Sequence, residues 1–108
     1  MREVTVTEVA DVLDEAASLY ESGTYGWVQG MYSYDPPGAK PKRCMLAILE
    51  VATSRLDYLD AIAMRARARK VIGVEIGHIP TWNDHHERTL DDVIEILKGT
   101  AKDLRNSQ

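Results

Sequence analysis

Apolar residues recur at helical spacing through the first twenty positions: Val6, Val9, Leu13, Ala16 and Tyr20, with Val12, Ala17 and Leu19 widening the stripe. Thr5 and Glu8 stand three apart, as a capping box requires, and Val4 and Val9 are spaced for a hydrophobic staple. Gly23 lies where a left-handed cap would stop the chain, so a helix is predicted over about residues 6 to 22. The pattern then changes. Gly26 and Gly30 interrupt any helix in "TYGWVQGMYSY", and five of the seven aromatic residues (Tyr20, Tyr25, Trp27, Tyr32 and Tyr34) fall in or beside it. Aromatic enrichment favours an extended chain, so a short strand or hairpin is predicted. "DPPGAKPKR" reads as a loop, because Pro36, Pro37 and Pro41 cannot join a regular ladder.

"CMLAILEVATS" is apolar nearly all round and predicts a buried helix of about three turns. Another helix restarts at Ser54 or Asp57, with Leu56, Leu59, Ile62, Ala63 and Ala66 as its inward stripe and Gly73 as its end. "VEIGHIPTW" reads as extended, since Pro80 is expected to keep a helix from running through it. A last helix opens at Thr89, with Leu90, Val93, Ile94, Leu97, Ala101 and Leu104 on its apolar face. Asp91 and Asp92 in its first turn, and Lys102 and Arg105 in its last, each suit the local end of the helix dipole. "NSQ" is expected to fray. The sum is one compact, mainly α domain over residues 1–108, of about four helices. A short two-stranded β element is expected from about residues 25 to 33 and 74 to 79, with an all-helical fold as the alternative.

Composition narrows function more than fold. The chain has 108 residues, enough for one core without staples, and is 44% hydrophobic and 28% charged. Thirteen basic against seventeen acidic side chains leave a formal charge of −4, which argues against general attraction to nucleic acid or anionic membrane. No apolar run approaches the roughly 20 residues that span a bilayer. One cysteine, Cys44, excludes an internal disulfide, and a reducing cytoplasm is the expected location.

The densest chemistry lies in "IPTWNDHHERTLDDV", residues 79 to 93. Thr89 fits an N-cap, Arg88 stands four residues after Asp84, close enough across a tight loop for a charge-assisted hydrogen bond, and Asn83 and Asp84 are types that bond their own backbone in turns. Trp82 is expected to sink its indole into the core. Trp82, Asn83, Asp84 and Thr89 are therefore read as a structural loop fastening the last helix. His85 and His86 with Asp84 and Glu87 lack the three- or four-residue spacing of helical metal ligands, so neither metal nor cofactor is expected. Cys44 with a histidine and Asp84 would supply a nucleophile, base and orienter for a small enzyme or ligand-binding domain. A lone cysteine heading an apolar helix more often serves as a small hydrophobe. Arg65, Arg67, Arg69 and Lys70 form the one basic turn, and weak nucleic-acid binding there is a further alternative.

Three strings together, "GWVQG", "RCMLAIL" and "IPTWNDHHERTLDDVIEIL", resemble a family of small uncharacterised proteins of actinobacteria and the phages that infect them. Its signature is Trp-Asn-Asp-x-x-x-Arg-Thr, met here by Trp82, Asn83, Asp84, Arg88 and Thr89. Gly26, Trp27, Gln29, Gly30, Cys44, Ala47, Leu49 and Val93 match as well. His85 and His86 stand where that family carries small or turn-forming residues, and Leu46 stands where glycine is usual. The resemblance implies a small accessory protein and assigns no activity. The expectation is a non-catalytic protein that binds a host protein, and homo-oligomers are possible. Its interaction surface is placed at Tyr25, Trp27, Tyr32, Tyr34, His85, His86 and Arg88.

Overall fold

The computed structural model describes residues 3–107. The protein is mainly helical, 63%, with five helices and a small mixed sheet of three strands among the described residues. Helix α1 (Val6–Glu21) starts at Thr5, whose side chain and that of Glu8 complete the expected capping box. Its stripe from Val9 to Tyr20 is buried. Helix α2 (Met45–Thr53) contributes Met45, Ile48 and Leu49, all sealed from solvent. Helix α5 (Leu90–Asn106) opens with a second capping box, Thr89 with Asp92, and buries Val93, Leu97 and Ala101. It runs along α1, where Arg105 reaches Asp14 at 2.5 Å and Asp11 at 2.6 Å. Ser107 caps α5, so two residues of the expected frayed tail are part of an ordered end; Gln108 lies outside the described residues.

Helix α3 (Tyr58–Ile76) departs from expectation in length and in facing. It runs through Gly73 and stops only at Gly77, which takes φ 77° and donates its N–H to the Gly73 carbonyl at 2.9 Å. A glycine inside a helix costs about 1 kcal/mol, and burial of Ile72 beside it offsets that cost. Inward sit Ala61, Met64, Ala68 and Ile72. Of the expected inward stripe, Leu59, Ile62 and Ala66 face water, while Leu56 and Ala63 are half-buried. Apolar residues lie on two sides of this helix, so periodicity alone does not choose between them. The chosen side has the small residues, which let α3 lie close against α1 and α2.

The expected strand at residues 74 to 79 is absent: it is the end of α3, a break at Gly77 and His78, and the start of a short helix α4 (Ile79–Asn83). Pro80 falls in the first turn of α4, where its missing N–H has no helical partner to lose. The sheet is built instead from β1 (Gly26–Trp27), β2 (Ser33–Tyr34) and β3 (Lys42–Arg43), in the order β1-β3-β2. β1 pairs with β3 in parallel and β2 pairs with it antiparallel. β3 lies inside the segment read as a loop. It fits because Pro41 stands outside the pairing as a donor, yet its carbonyl still accepts the Gly26 N–H at 2.8 Å. Among the described residues no helix is long and apolar enough to cross a membrane.

Candidate functional site

Where the sheet, the head of α2 and the end of α4 meet, one side chain joins all three. Asn83 lies four residues after Ile79 on α4, so both point to the same buried face, and Asn83 is 1% exposed. Its carboxamide oxygen accepts the Trp27 indole N–H at 2.7 Å and the Met45 backbone N–H at 3.0 Å. Its amide nitrogen donates to the Val28 carbonyl at 3.1 Å and to Asp84 Oδ1 at 2.9 Å. The Met45 N–H is one of the amides that a helix start leaves without an internal partner. One asparagine thus caps α2, holds an indole, and pins the strand that follows it.

The neighbours repeat the clasp. Gln29 Nε2 donates to the Asn83 and His85 carbonyls at 3.0 and 2.8 Å. Asp84 Oδ1 accepts the Gly30 N–H at 2.9 Å, and Gly30 holds φ 77°, a backbone that favours glycine. The GWVQG and WND strings, more than fifty residues apart in sequence, are therefore one hydrogen-bonded unit. Asp84 does not pair with Arg88 as expected. Arg88 Nε donates to the Trp82 carbonyl at 2.9 Å, and its guanidinium lies over the Trp82 ring at 3.7 Å. Trp82 is half-buried at the core's edge, not sunk within it, because Arg88 covers its outer face.

From this clasp an arm of chain, residues 30–35, loops outward and returns through the sheet. Its base is fixed where Cys44 N–H donates to the Tyr32 carbonyl at 3.0 Å. Its outer side chains are Met31, Tyr32 and Tyr34, 51%, 47% and 49% exposed. Tyr32 donates its hydroxyl to Glu50, and partial burial, followed by that bond, pushes its pKa up to about 12. Arg43 pairs with Asp35 at 2.5 Å, which raises its pKa further, and lies over the Tyr25 ring. Tyr20, deeply buried, donates to the Arg43 carbonyl at 2.7 Å, and desolvation raises its pKa strongly.

Between arm and clasp lies a cleft of about 240 Å³, lined by Met31, Tyr32, Cys44, Leu46, Pro80 and Asp84 among others. Cys44 is buried and caps α2, its sulfur accepting the Ala47 N–H at 3.5 Å. The cleft brings Cys44 and Asp84 together, but no histidine lines it. His85 and His86 are exposed and stack on each other, ring centres 4.8 Å apart. Among the described residues no group of three or more His, Cys, Asp or Glu side chains is placed to hold a metal ion. Of the expected interaction surface, Tyr32 and Tyr34 lie on the arm, Tyr25 and Trp27 are half-buried beneath it, and His85, His86 and Arg88 lie in the α4–α5 loop. The basic turn is divided. Arg65 is directed at Glu50 at 3.6 Å, whereas Arg67, Arg69 and Lys70 are exposed on α3.

The residue that sequence reasoning undervalued is Asn83. Its residue type predicts a turn position bonding its own backbone; the i, i+4 spacing from Ile79 is the signal that assigns it inward, once α4 is read as a helix. No curated protein and no solved structure matches the chain. A family of unknown function does match, over residues 4–103, a span that takes in the arm, the clasp and all five helices up to the last turn of α5. On that match the chain belongs to the family of unknown function DUF6197.

Proposed function

We propose that this chain is a non-catalytic accessory protein of an actinobacterium or its phage, working in the cytoplasm by binding a host protein through the arm at residues 30–35. One observation carries the reading: Met31, Tyr32 and Tyr34 are each about half exposed on an arm whose two ends are clamped. Large side chains held out rigidly lose little freedom on binding, which is how aromatic anchors make tight contacts. β2 is also an edge of its sheet, open to a further strand. The partner's matching chemistry is an extended segment whose apolar side chain enters the cleft beside Leu46 and Pro80. The actinobacterial origin rests on the resemblance of the GWVQG, RCMLAIL and WND-bearing strings.

Nucleophilic catalysis by Cys44 is less well supported, because its thiol is occupied as a helix cap and its cleft offers no histidine base. Nucleic-acid binding is less well supported too, since Arg65 is engaged with Glu50 and few phosphate contacts remain. The test is capture from actinobacterial lysate with the native chain and with Tyr34→Ala and Met31→Asp as matched baits. A protein retained by the native chain and lost by both folded variants is expected. Equal retention by all three would refute the arm as the binding surface.

A further inference from the structure

A groove of about 340 Å³ runs along α5, between that helix, the end of α3 and the α4 segment. Its lining is acidic: Glu75 from α3 and Asp92, Glu95 and Asp103 from α5. Arg88 is the single cation of the lining, and it is engaged with the Trp82 carbonyl and ring. Asp92 accepts the Thr89 N–H in the α5 cap. Among the described residues the carboxylates of Glu75, Glu95 and Asp103 have no hydrogen-bond or ion-pair partner. Two further features point to an occupant. Thr100 stands in the wall, 5% exposed, and its hydroxyl is buried with no hydrogen-bond partner among the described residues. Unpaired buried polar atoms are rare in folded proteins, and a bound group is one physical reason for them. Gly99 lies beside it in mid-helix, where glycine is a poor helix former. A Cβ there would meet nothing within 4 Å, so packing does not demand glycine; its bare backbone keeps the groove open.

We propose that this groove binds a linear aliphatic polyamine. Four carboxylates beside one engaged guanidinium select a cation over an anion. Among the described residues no three acidic side chains are placed to share a metal ion, so the negative charge is spread rather than focused. Asp92 and Asp103 stand three turns apart on α5, about 16 Å along its axis. Charge spread along a line matches ammonium groups spaced along an alkyl chain. The ammonium groups meet Asp92, Glu95 and Asp103 in turn, with Glu75 contributed by α3, while the methylenes lie on Ile96 and Gly99. Thr100 Oγ1 accepts from one ammonium group, and the two χ1 rotamers open to a helical threonine let the hydroxyl turn to meet it. No residue of the arm at 30–35 lines the groove, so this site stands or falls independently of the arm.

Calorimetric titration of the full chain with spermidine at low ionic strength tests the proposal. The native chain is expected to bind one equivalent, more weakly as salt rises. Butylamine, with a single ammonium group, is expected to bind about tenfold more weakly. Gly99→Leu fills the groove and should abolish binding. Thr100→Val should weaken it by about tenfold while raising the melting temperature, because a hydrogen bond to a charged group is lost and an orphaned hydroxyl is removed. A folding defect would instead lower both. Glu75→Gln and Asp103→Asn, milder changes should Gly99→Leu fail to fold, should each weaken binding about two- to fivefold, as exposed charge pairs do. No binding by the native chain, or spermidine bound equally by the native chain and all four folded variants, would overturn the groove as the site. Butylamine binding as tightly as spermidine, or magnesium chloride displacing spermidine at equal charge concentration, would overturn the polyamine as its ligand.

Discussion

Replacing Asn83 by alanine removes one side chain and strands three groups that depend on it: the Trp27 indole N–H, the Met45 N–H and the Val28 carbonyl. A buried polar group left without a partner costs about 1–3 kcal/mol. Val28 is only half-buried, so its carbonyl recovers a water and counts least. The sum is about 3–4 kcal/mol, a large share of the roughly 5–15 kcal/mol that separates folded from unfolded domains. For a chain of this length that lowers the melting temperature by more than about 10 °C. Asn83→Asp sharpens the argument. The new side chain keeps an oxygen for Trp27 and Met45 but turns a second oxygen toward the Val28 carbonyl and the Asp84 carboxylate. Both neighbours, with burial, raise the folded-state pKa of the introduced carboxyl. Its protonated form is therefore the stable one, and stability present at low pH is lost as pH rises from the unfolded value toward the folded one. The gap in melting temperature between Asn83→Asp and the native chain should narrow as pH falls from 7 toward about 4. Urea and thermal melts followed by circular dichroism measure both effects. An Asn83→Ala change within about 1 kcal/mol of native, or an Asn83→Asp gap independent of pH, would refute the role given to this residue.

Trp82→Ala should cost about 2 kcal/mol in the same melts, less than the 3–5 kcal/mol of a fully buried tryptophan, because the ring is half-buried under Arg88; a loss above about 4 kcal/mol would contradict that placement. The Thr100 hydroxyl is buried and among the described residues has no hydrogen-bond partner, so Thr100→Val, of similar shape, should stabilise by about 1 kcal/mol; clear destabilisation would mean that the hydroxyl has a partner. Tyr20 and Tyr32 have folded-state pKa values raised above the ordinary 10, so their contribution is complete below about pH 10 and is lost as pH rises toward 12. An alkaline titration of phenolate absorbance should leave part of its amplitude until the helical signal collapses; full amplitude near pH 10 with the fold intact would be the contrary result.

Helices α1 and α5 are legible in the sequence because independent local signals agree: a capping box at the start of α1, an N-cap threonine at the start of α5, and a single apolar stripe behind each. In α3 the signals disagreed. Its apolar residues lie on two faces, and only tertiary packing decides that Met64 and Ala68 go inward while Leu59 and Ile62 stay out. Gly73 and Pro80 misled for related reasons, since each is tolerated where neighbouring packing or a first-turn position removes its usual cost. The pairing of β3 with both β1 and β2 is long-range and left no trace in a proline-rich string. At the candidate site, Trp82, Asn83, Asp84 and Thr89 stood out as a polar cluster fastening α5. The Thr89 cap could be seen from residue spacing. The reach of Asn83 to Trp27, Val28 and Met45 could not, because those contacts are set by the fold.

The account turns on Asn83 accepting the half-buried Trp27 indole N–H, while among the described residues no acceptor is placed for the Trp82 indole N–H, and hydrogen–deuterium exchange of the two indole protons reads this directly. The Trp27 proton, donated to Asn83 Oδ1, is expected to exchange slowly; the Trp82 proton, half-buried at the core's edge, is expected to exchange fast. Asn83→Ala should bring the Trp27 rate close to that of Trp82. Rapid exchange of both protons in the native chain, or a slow Trp27 proton unchanged by Asn83→Ala, would contradict the account.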